Sequence, residues 1–269
     1  MADIFVHVDM IVSSNNCSVF EQRVTDFIKK GNLLAVRPGW ELTLALKGTK
    51  PFMYTPQGTF DEYSREFDRT PFVAAENGYC HRHLQAGDST FGPAFRYVHV
   101  WRVPSEAYFN LPEMMQGCVD NTDYMRIDEL VICEIQDIIR RVKWLDALPK
   151  ASSAKRFVRI VRQFSYRNLG GYLFDLCGLF PALEAVRWHQ LGQFQNVTGS
   201  LNSAVEFWQI DDDTPDRPLA KTTLRQAAQE GGGAAVAALV KSIEELSLSE
   251  GREMYERASY FGAAPEATQ

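Results

Sequence analysis

The sequence predicts an α+β fold built from two tandem βαββαβ units, and three observations predict it. Tyr97-Val98-His99-Val100-Trp101-Arg102-Val103 matches Ala204-Val205-Glu206-Phe207-Trp208-Gln209-Ile210 position by position, each a strand reaching a tryptophan. Each is preceded by a strand that opens at another tryptophan, Trp40 in the first half and Trp188 in the second. Each of those strands follows an amphipathic helix that itself follows a strand, so a β-α-β-β unit occurs twice, and repetition at this scale sets the architecture.

The elements follow in order from periodicity. Ile4 to Val12 alternates, with Ile4, Val6, Val8, Met10 and Val12 on one face and Phe5, His7, Asp9 and Ile11 on the other, the period-2 mark of a strand. Ser13 to Ser18 is a turn that supplies a helix cap, and Phe20, Val24, Phe27 and Ile28 recur at helical spacing before Gly31 and Asn32 stop the helix. Pro38-Gly39 leads into the second strand, Trp40 to Leu46. An insertion at about 47–94 has no counterpart in the second half and carries a short charged helix at Phe60 to Arg69. A loop of that length in a compact domain is usually a lid or a pocket wall. After the third strand come helices at Glu106 to Gly117 and Asp123 to Leu130. The apolar residues from Ile127 to Val142 also fit a helical stripe, but the repeat requires a closing strand near Glu134 to Arg140. In the second half Arg156 to Tyr166 is a strand and Leu169 to Val186 a helix; Asp216 to Leu246 is helical around Gly231-Gly232-Gly233, and Glu253 to Phe261 is the last strand.

The stretch Leu148 to Ala154 is small, polar and proline-bearing, as a linker is, and divides the chain into a first unit at 1–148 and a second at 155–262. Two βαββαβ units imply two ferredoxin-like sheets with strand order 4-1-3-2. Helices cover one face of such a sheet and the other face must be buried, with the second unit as the obvious partner.

Composition narrows the function. The chain has 269 residues, 45% of them hydrophobic, which is ample for a packed core. A net charge of −6 and a pI near 5.5 argue against nucleic acid or an anionic membrane surface, since either needs a basic patch. The basic run Arg140-Arg141-Val142-Lys143 reads as a solvated edge. Five cysteines, Cys17, Cys80, Cys118, Cys133 and Cys177, stand at no metal-ligand spacing and read as reduced thiols of a cytoplasmic protein. No apolar stretch is long enough for a membrane span, and the first residues carry no export signal. Glycine-rich phosphate loops and a Gly-x-Ser-x-Gly elbow are missing, which disfavours nucleotide-dependent and serine-hydrolase chemistry.

The strand motif Val98-His99-Val100-Trp101, together with Thr198-Gly199-Ser200-Leu201-Asn202-Ser203-Ala204-Val205-Glu206-Phe207-Trp208, resembles the dimeric α/β-barrel superfamily, and within it the NIPSNAP-like proteins that carry two such units per chain. The resemblance covers residues 156–211 well and 4–145 loosely; the long insertion departs from the usual short hairpin. It implies a barrel formed by two sheets with a central cavity, and a superfamily of cofactor-independent monooxygenases, polyketide cyclases, lactone isomerases and haem-binding enzymes. Members often associate further, so a homo-oligomer is in keeping with it. Fold alone does not choose among these reactions.

The candidate site comes from alternation. If Ile4, Val6 and Val8 pack on the helices together with Val98 and Val100, the cavity receives Phe5, His7, Asp9, Tyr97, His99 and Trp101. His7 and His99 would pass a proton, Asp9 would fix a tautomer and Tyr97 would donate to a developing enolate oxygen. Trp101, Trp208, Glu206 and Phe5 are the candidate substrate contacts, the two indoles suiting a planar ligand. Strand one of the second half offers either Arg159 and Gln163 or Arg162 and Phe164 to the cavity, and alternation does not decide between them. Cys80-His81-Arg82-His83 lacks a second ligand cluster and reads as a surface loop or a lid, with no metal expected. The leading expectation is a cofactor-free cyclase, isomerase or monooxygenase acting on an aromatic or polyketide-like molecule. A non-catalytic binder of a hydrophobic metabolite and a haem enzyme with a histidine axial ligand stay open as alternatives.

Overall fold

A computed structural model of the chain describes residues 4–55, 58–59, 93–104, 111–143, 156–172, 188–198, 202–210 and 233–263, with isolated helical positions at 175, 178, 179 and 181. The described residues fall into two units: 4–139 with 256–263 in one, and 140–143 with 156–255 in the other.

In the first unit, β1 (Ile4–Ser13) leads through a 3-10 turn to α1 (Cys17–Lys29) and α2 (Asn32–Val36). Strand β2 (Glu41–Gly48), a short hairpin of β3 (Phe52–Thr55) and β4 (Gly58–Thr59), β5 (Pro93–Val103), α3 (Leu111–Asp120), α4 (Thr122–Asp128) and β6 (Val131–Lys143) follow. Strand β1 pairs antiparallel with β5 on one side and β6 on the other, and β2 pairs with β5. With the hairpin left aside, that is the 4-1-3-2 order read from the repeat. The closing element is a strand, as the repeat required.

Local chemistry explains the helix ends. Phe20, Val24, Phe27 and Ile28 are buried along α1, and the helix stops at Gly31, whose φ of 74° lies in the left-handed region that glycine enters without penalty. The amide of Gly31 donates to the Ile28 carbonyl at 3.0 Å. The start of α1 has no side-chain cap on Asn16, contrary to the cap expected from Ser13 to Ser18. Helix α4 does have one: Asn121 Oδ1 accepts from the Tyr124 amide at 2.9 Å.

The second unit has β7 (Arg156–Phe164), helical residues from 169, β8 (Trp188–Asn196), β9 (Ser203–Ile210), α5 (Gly233–Leu246) and β10 (Ser247–Arg257). Strand β7 pairs with β9 and β10, and β8 pairs with β9, all antiparallel. Here the last strand departs from expectation. It spans Ser247–Arg257, not Glu253 to Phe261, because Ala258 to Ala263 turn away, with Gly262 at a φ of 95°. That turn belongs to the first unit, where Tyr260 and Phe261 are buried and the Ala258 amide donates to the Ala45 carbonyl at 3.1 Å. The Phe60 to Arg69 helix and the Cys80 to His83 cluster lie outside the described residues.

Register decides which side chains share a face, since directly opposed antiparallel residues point the same way. Val6 opposes Trp101, Val8 opposes His99 and Met10 opposes Tyr97. This face looks toward the helices: Phe20 of α1 lies 4.8 Å from Tyr97, ring centre to ring centre. Phe5, His7 and Asp9 oppose Arg102, Val100 and Val98 on the other face. The expected pairing of faces is therefore corrected. His7, Asp9 and Phe5 do not share a face with His99, Tyr97 and Trp101.

Both units carry a β-bulge in the strand that opens at tryptophan, between Leu42 and Leu44 in β2 and between Gln190 and Gly192 in β8. The extra residue in β2, Thr43, is buried and donates through Oγ1 to the Val100 carbonyl at 2.8 Å. Beside each bulge a tryptophan pair packs at the same spacing: Trp40 on Trp101 and Trp188 on Trp208, each at 6.1 Å.

Candidate active site

On the helix face of the first unit lies a cavity of about 70 Å³. Its walls are apolar, from Val8 and Met10 of β1, Phe20 and Phe27 of α1, Leu42 of β2 and Trp101 of β5. Into this lining project Arg37, His99, Tyr124, Asp128 and Glu134. An apolar pocket with a few convergent polar groups is the usual form of a small-molecule site.

His99 reaches the cavity because β5 sets it opposite Val8, one step from Trp101, whose ring meets the imidazole edge to face at 5.8 Å. Its Nε2 shares a 2.6 Å hydrogen bond with the Tyr260 hydroxyl, which the C-terminal turn delivers. Burial, and next the charge of Arg37, push the imidazole down to about 3, so the ring is neutral at physiological pH. Tyr260, wholly enclosed, has its phenol pushed well up by burial.

Arg37 follows the short helix α2 and donates its backbone amide to the Leu33 carbonyl at 2.8 Å. Its guanidinium is buried in an aromatic cage, 5.0 Å from the Trp40 ring centre, 5.2 Å from Trp101 and 5.9 Å from Tyr124. Nη2 donates to the Tyr124 hydroxyl at 3.1 Å. Burial works against this cation, but Tyr124, Glu134 and Cys118 outweigh it and raise its pKa. The Tyr124 phenol is itself pushed up to about 12, first by burial, with Arg37 pulling the other way. Glu134 enters from β6, opposite Met10, is buried, and accepts a hydrogen bond from Gln136 Nε2.

Tyr97 shares the helix face but is committed elsewhere. Its hydroxyl donates to Glu21 Oε1 at 2.7 Å, and the same carboxylate accepts from Lys47 Nζ at 2.8 Å and from the Ser259 hydroxyl. Burial would raise the Glu21 pKa, yet these three donors bring it below its ordinary value. Burial, and then the hydrogen bond to Glu21, drive the Tyr97 phenol far up. This network ties α1, β2, β5 and the C-terminal turn together beside the cavity.

The remaining sequence candidates lie away from it. His7 and Phe5 are buried on the opposite face, where His7 stands across from Asp137 of β6, and Asp9 is half-buried on that same face. In the second unit Glu206 and Trp208 lie on the face toward its helices, as His99 and Trp101 do in theirs. Glu206 is enclosed and accepts from Trp208 Nε1 at 2.9 Å, from Arg162 Nη1 and from the Tyr172 hydroxyl. Register settles the choice that alternation left open: Arg162 and Phe164 share the face of Glu206, whereas Arg159 pairs with Glu253 at 2.6 Å on the other. Sequence reasoning passed over Arg37, Tyr124, Glu134 and Tyr260. Only Glu134 left a trace, as an acidic residue at an alternating position among apolar ones in Val131 to Ile139.

Among the described residues no group of three metal-ligating side chains occurs, and no helix is long and apolar enough to cross a membrane. Cys17 and Cys118 are free and buried.

No protein-family model matches the chain, and no curated protein matches it. Solved structures do. A proposed monooxygenase from Lactobacillus acidophilus superposes with a TM-score of 0.51 at 7% identity, over 96% of this chain and 95% of that one. A proposed monooxygenase from Fusobacterium nucleatum gives 0.50 at 9% identity, over 96% and 93%. Both neighbours are dimeric α/β-barrel proteins with ferredoxin-like sheets, and at these identities the likeness is one of fold.

Proposed function

We propose that the chain is a small-molecule enzyme whose substrate, an aromatic or polyketide-like compound, occupies the helix-face cavity of the first unit. The observation that carries this reading is the aromatic-caged Arg37 facing the same apolar cavity as His99. Trp101 supplies a flat wall for a ring. Arg37 supplies a fixed positive charge where negative charge would develop on a substrate oxygen, which is worth most in a site closed to water. His99, kept neutral and oriented by Tyr260, supplies a hydrogen bond without competing for the anion. Such equipment serves cyclisation, isomerisation or cofactor-free oxygenation, and the two monooxygenase-named neighbours of like fold favour the last. Within this reading the chain is a tandem, NIPSNAP-like duplication in which one half keeps the site. His7 and Asp9 stand outside it.

Haem does not fit these residues. Among the described residues His99 is the one histidine lining the cavity, and its Nε2 is already engaged by the Tyr260 hydroxyl, which leaves it unsuited to an axial ligand's role. A holding protein is the second reading, favoured by the state of His99, whose buried neutral ring, tied to Tyr260, suits positioning better than proton transfer.

Mass spectrometry of what denaturation releases from freshly purified protein, paired with its ultraviolet-visible spectrum, tests the site. The expected outcome is an oxygenated aromatic compound carried by the wild type and lost from W101A. A Soret or flavin band would overturn the cofactor-free reading, and full retention of the compound by W101A would overturn the placement. Turnover of that compound, abolished in H99A while binding persists, separates the enzyme from the holder.

A further inference from the structure

The cavity holds two opposite charges that do not meet. Among the described residues Arg37 has no ion pair with any carboxylate; its guanidinium donates to the Tyr124 hydroxyl, reaches the Cys118 thiol and otherwise rests on aromatic faces. Glu134 lines the same cavity, and its one hydrogen bond among the described residues comes from Gln136. Buried charges are costly unless paired, and a flexible arginine beside a carboxylate ordinarily closes onto it. Here the indoles of Trp40 and Trp101 hold the guanidinium back, so the cavity separates an unpaired cation from a carboxylate with lone pairs to spare.

A molecule that fits between them presents an oxygen able to take negative charge to Arg37 and an acidic hydrogen to Glu134. A phenol has both, one bond apart, and an enolisable aromatic ketone has both, three bonds apart. We propose that Glu134 is the catalytic proton acceptor of this site, working against an oxyanion held by Arg37; the proposal rests on the reading of the cavity as the substrate site. The step balances without a co-reactant. The substrate C–H bond breaks and an O–H bond forms on the Glu134 carboxylate. The electron pair left behind moves through the carbonyl to its oxygen, where the guanidinium receives the charge as an enolate. Glu134 then returns the proton, to a second, conjugated carbon for isomerisation or to the same carbon for exchange of its hydrogen with solvent. His99 takes no proton in this scheme, in keeping with a ring that burial and the charge of Arg37 hold neutral and that Tyr260 orients.

The experiment uses 2-indanone, an enolisable aromatic ketone, as the probe. Its exchange of ring-methylene hydrogen for deuterium in heavy water is followed by proton NMR, and its binding by saturation transfer. The wild type is expected to accelerate exchange over buffer. E134Q is expected to lower kcat about 100-fold with KM little changed, which is the usual weight of a positioned base. E134D, which keeps a carboxylate one bond shorter, retains part of the rate, and a circular dichroism melt shows whether each variant is folded. R37Q loses rate as well and binds the ketone more weakly. Binding with E134Q exchanging at the wild-type rate, or with no exchange by the wild type above buffer, overturns the assignment of Glu134 alone. Failure of the wild type to bind the ketone at all overturns the cavity reading, and the assignment falls with it.

Discussion

At the scale of single residues, the state of His99 has a measurable consequence for stability. Its folded pKa is held at about 3 against an ordinary 6.5. Below pH 6.5 the unfolded chain takes up a proton that the folded chain refuses, so the contribution is complete above 6.5 and drains away as pH falls toward about 3. Glu21 acts in the same direction but later, since its depressed carboxyl loses its advantage only below its ordinary 4.5. The two windows separate the two groups. In H99Q, which keeps a polar atom for Tyr260 but cannot titrate, the fall in unfolding free energy between pH 6.5 and 4.5 should flatten, while the steeper loss at lower pH remains. Urea denaturation across this range measures it, and an unchanged slope above pH 4.5 would show that His99 is not the buried neutral base described.

Among the elements, α1 carries both the cavity wall and the Glu21 network, so its boundaries matter. Gly31 ends it in the left-handed region with nothing within 4 Å of where a Cβ would stand. Gly31→Ala therefore meets no neighbour and pays only in backbone conformation, about 1 kcal/mol. A urea midpoint lowered by that amount with an unchanged m-value is expected, and a neutral result would mean that α1 ends otherwise. The strands and α1 were legible in the sequence because their periodicity is regular and their stops are chemically explicit, as at Gly31. The faces were not. Alternation marks a face only when one side is wet, and along β5 every residue from Tyr97 to Trp101 is buried, so apolar Val98 and Val100 gave no sign that they point away from the helices. A bulge hides in the same way: Thr43 shifts β2 by one residue, and nothing local distinguishes it from an ordinary strand threonine. Of the residues that line the candidate cavity, the sequence pointed to His99 and Trp101 alone. Arg37 lies in an irregular connection, and Tyr260 reaches His99 across 161 positions, a distance over which no spacing rule operates.

At the level of the whole chain, the two units use one sheet register for different ends. The position opposite Val8 is His99, facing a cavity; the matching position opposite Ile160 is Glu206, and there the space is filled by Arg162, Tyr172 and Trp208. Arg162 stands where the first unit has Met10, each facing Tyr97 or Ala204 across its pair, so a flexible apolar wall is replaced by a buried cation that needs its carboxylate. Under the proposed function this asymmetry fits a ligand in the first unit, while Glu206 of the second is engaged by Arg162, Tyr172 and Trp208, and the difference is testable through stability. E206L removes the carboxylate that balances the enclosed Arg162 cation and leaves it the Tyr172 hydroxyl, which should cost about 3–5 kcal/mol. The double variant R162M/E206L rebuilds the apolar character of the first unit's face and should recover most of that loss, because replacing both members of a buried pair is often neutral. Neither variant should weaken binding of 2-indanone, since the described residues that line the cavity all lie in the first unit. Thermal melts and saturation transfer on the same three proteins decide the matter. If E206L melts like the wild type, the carboxylate is not the partner of Arg162. If it folds but loses the ketone, the second unit takes part in binding and there is no such division of labour between the two units.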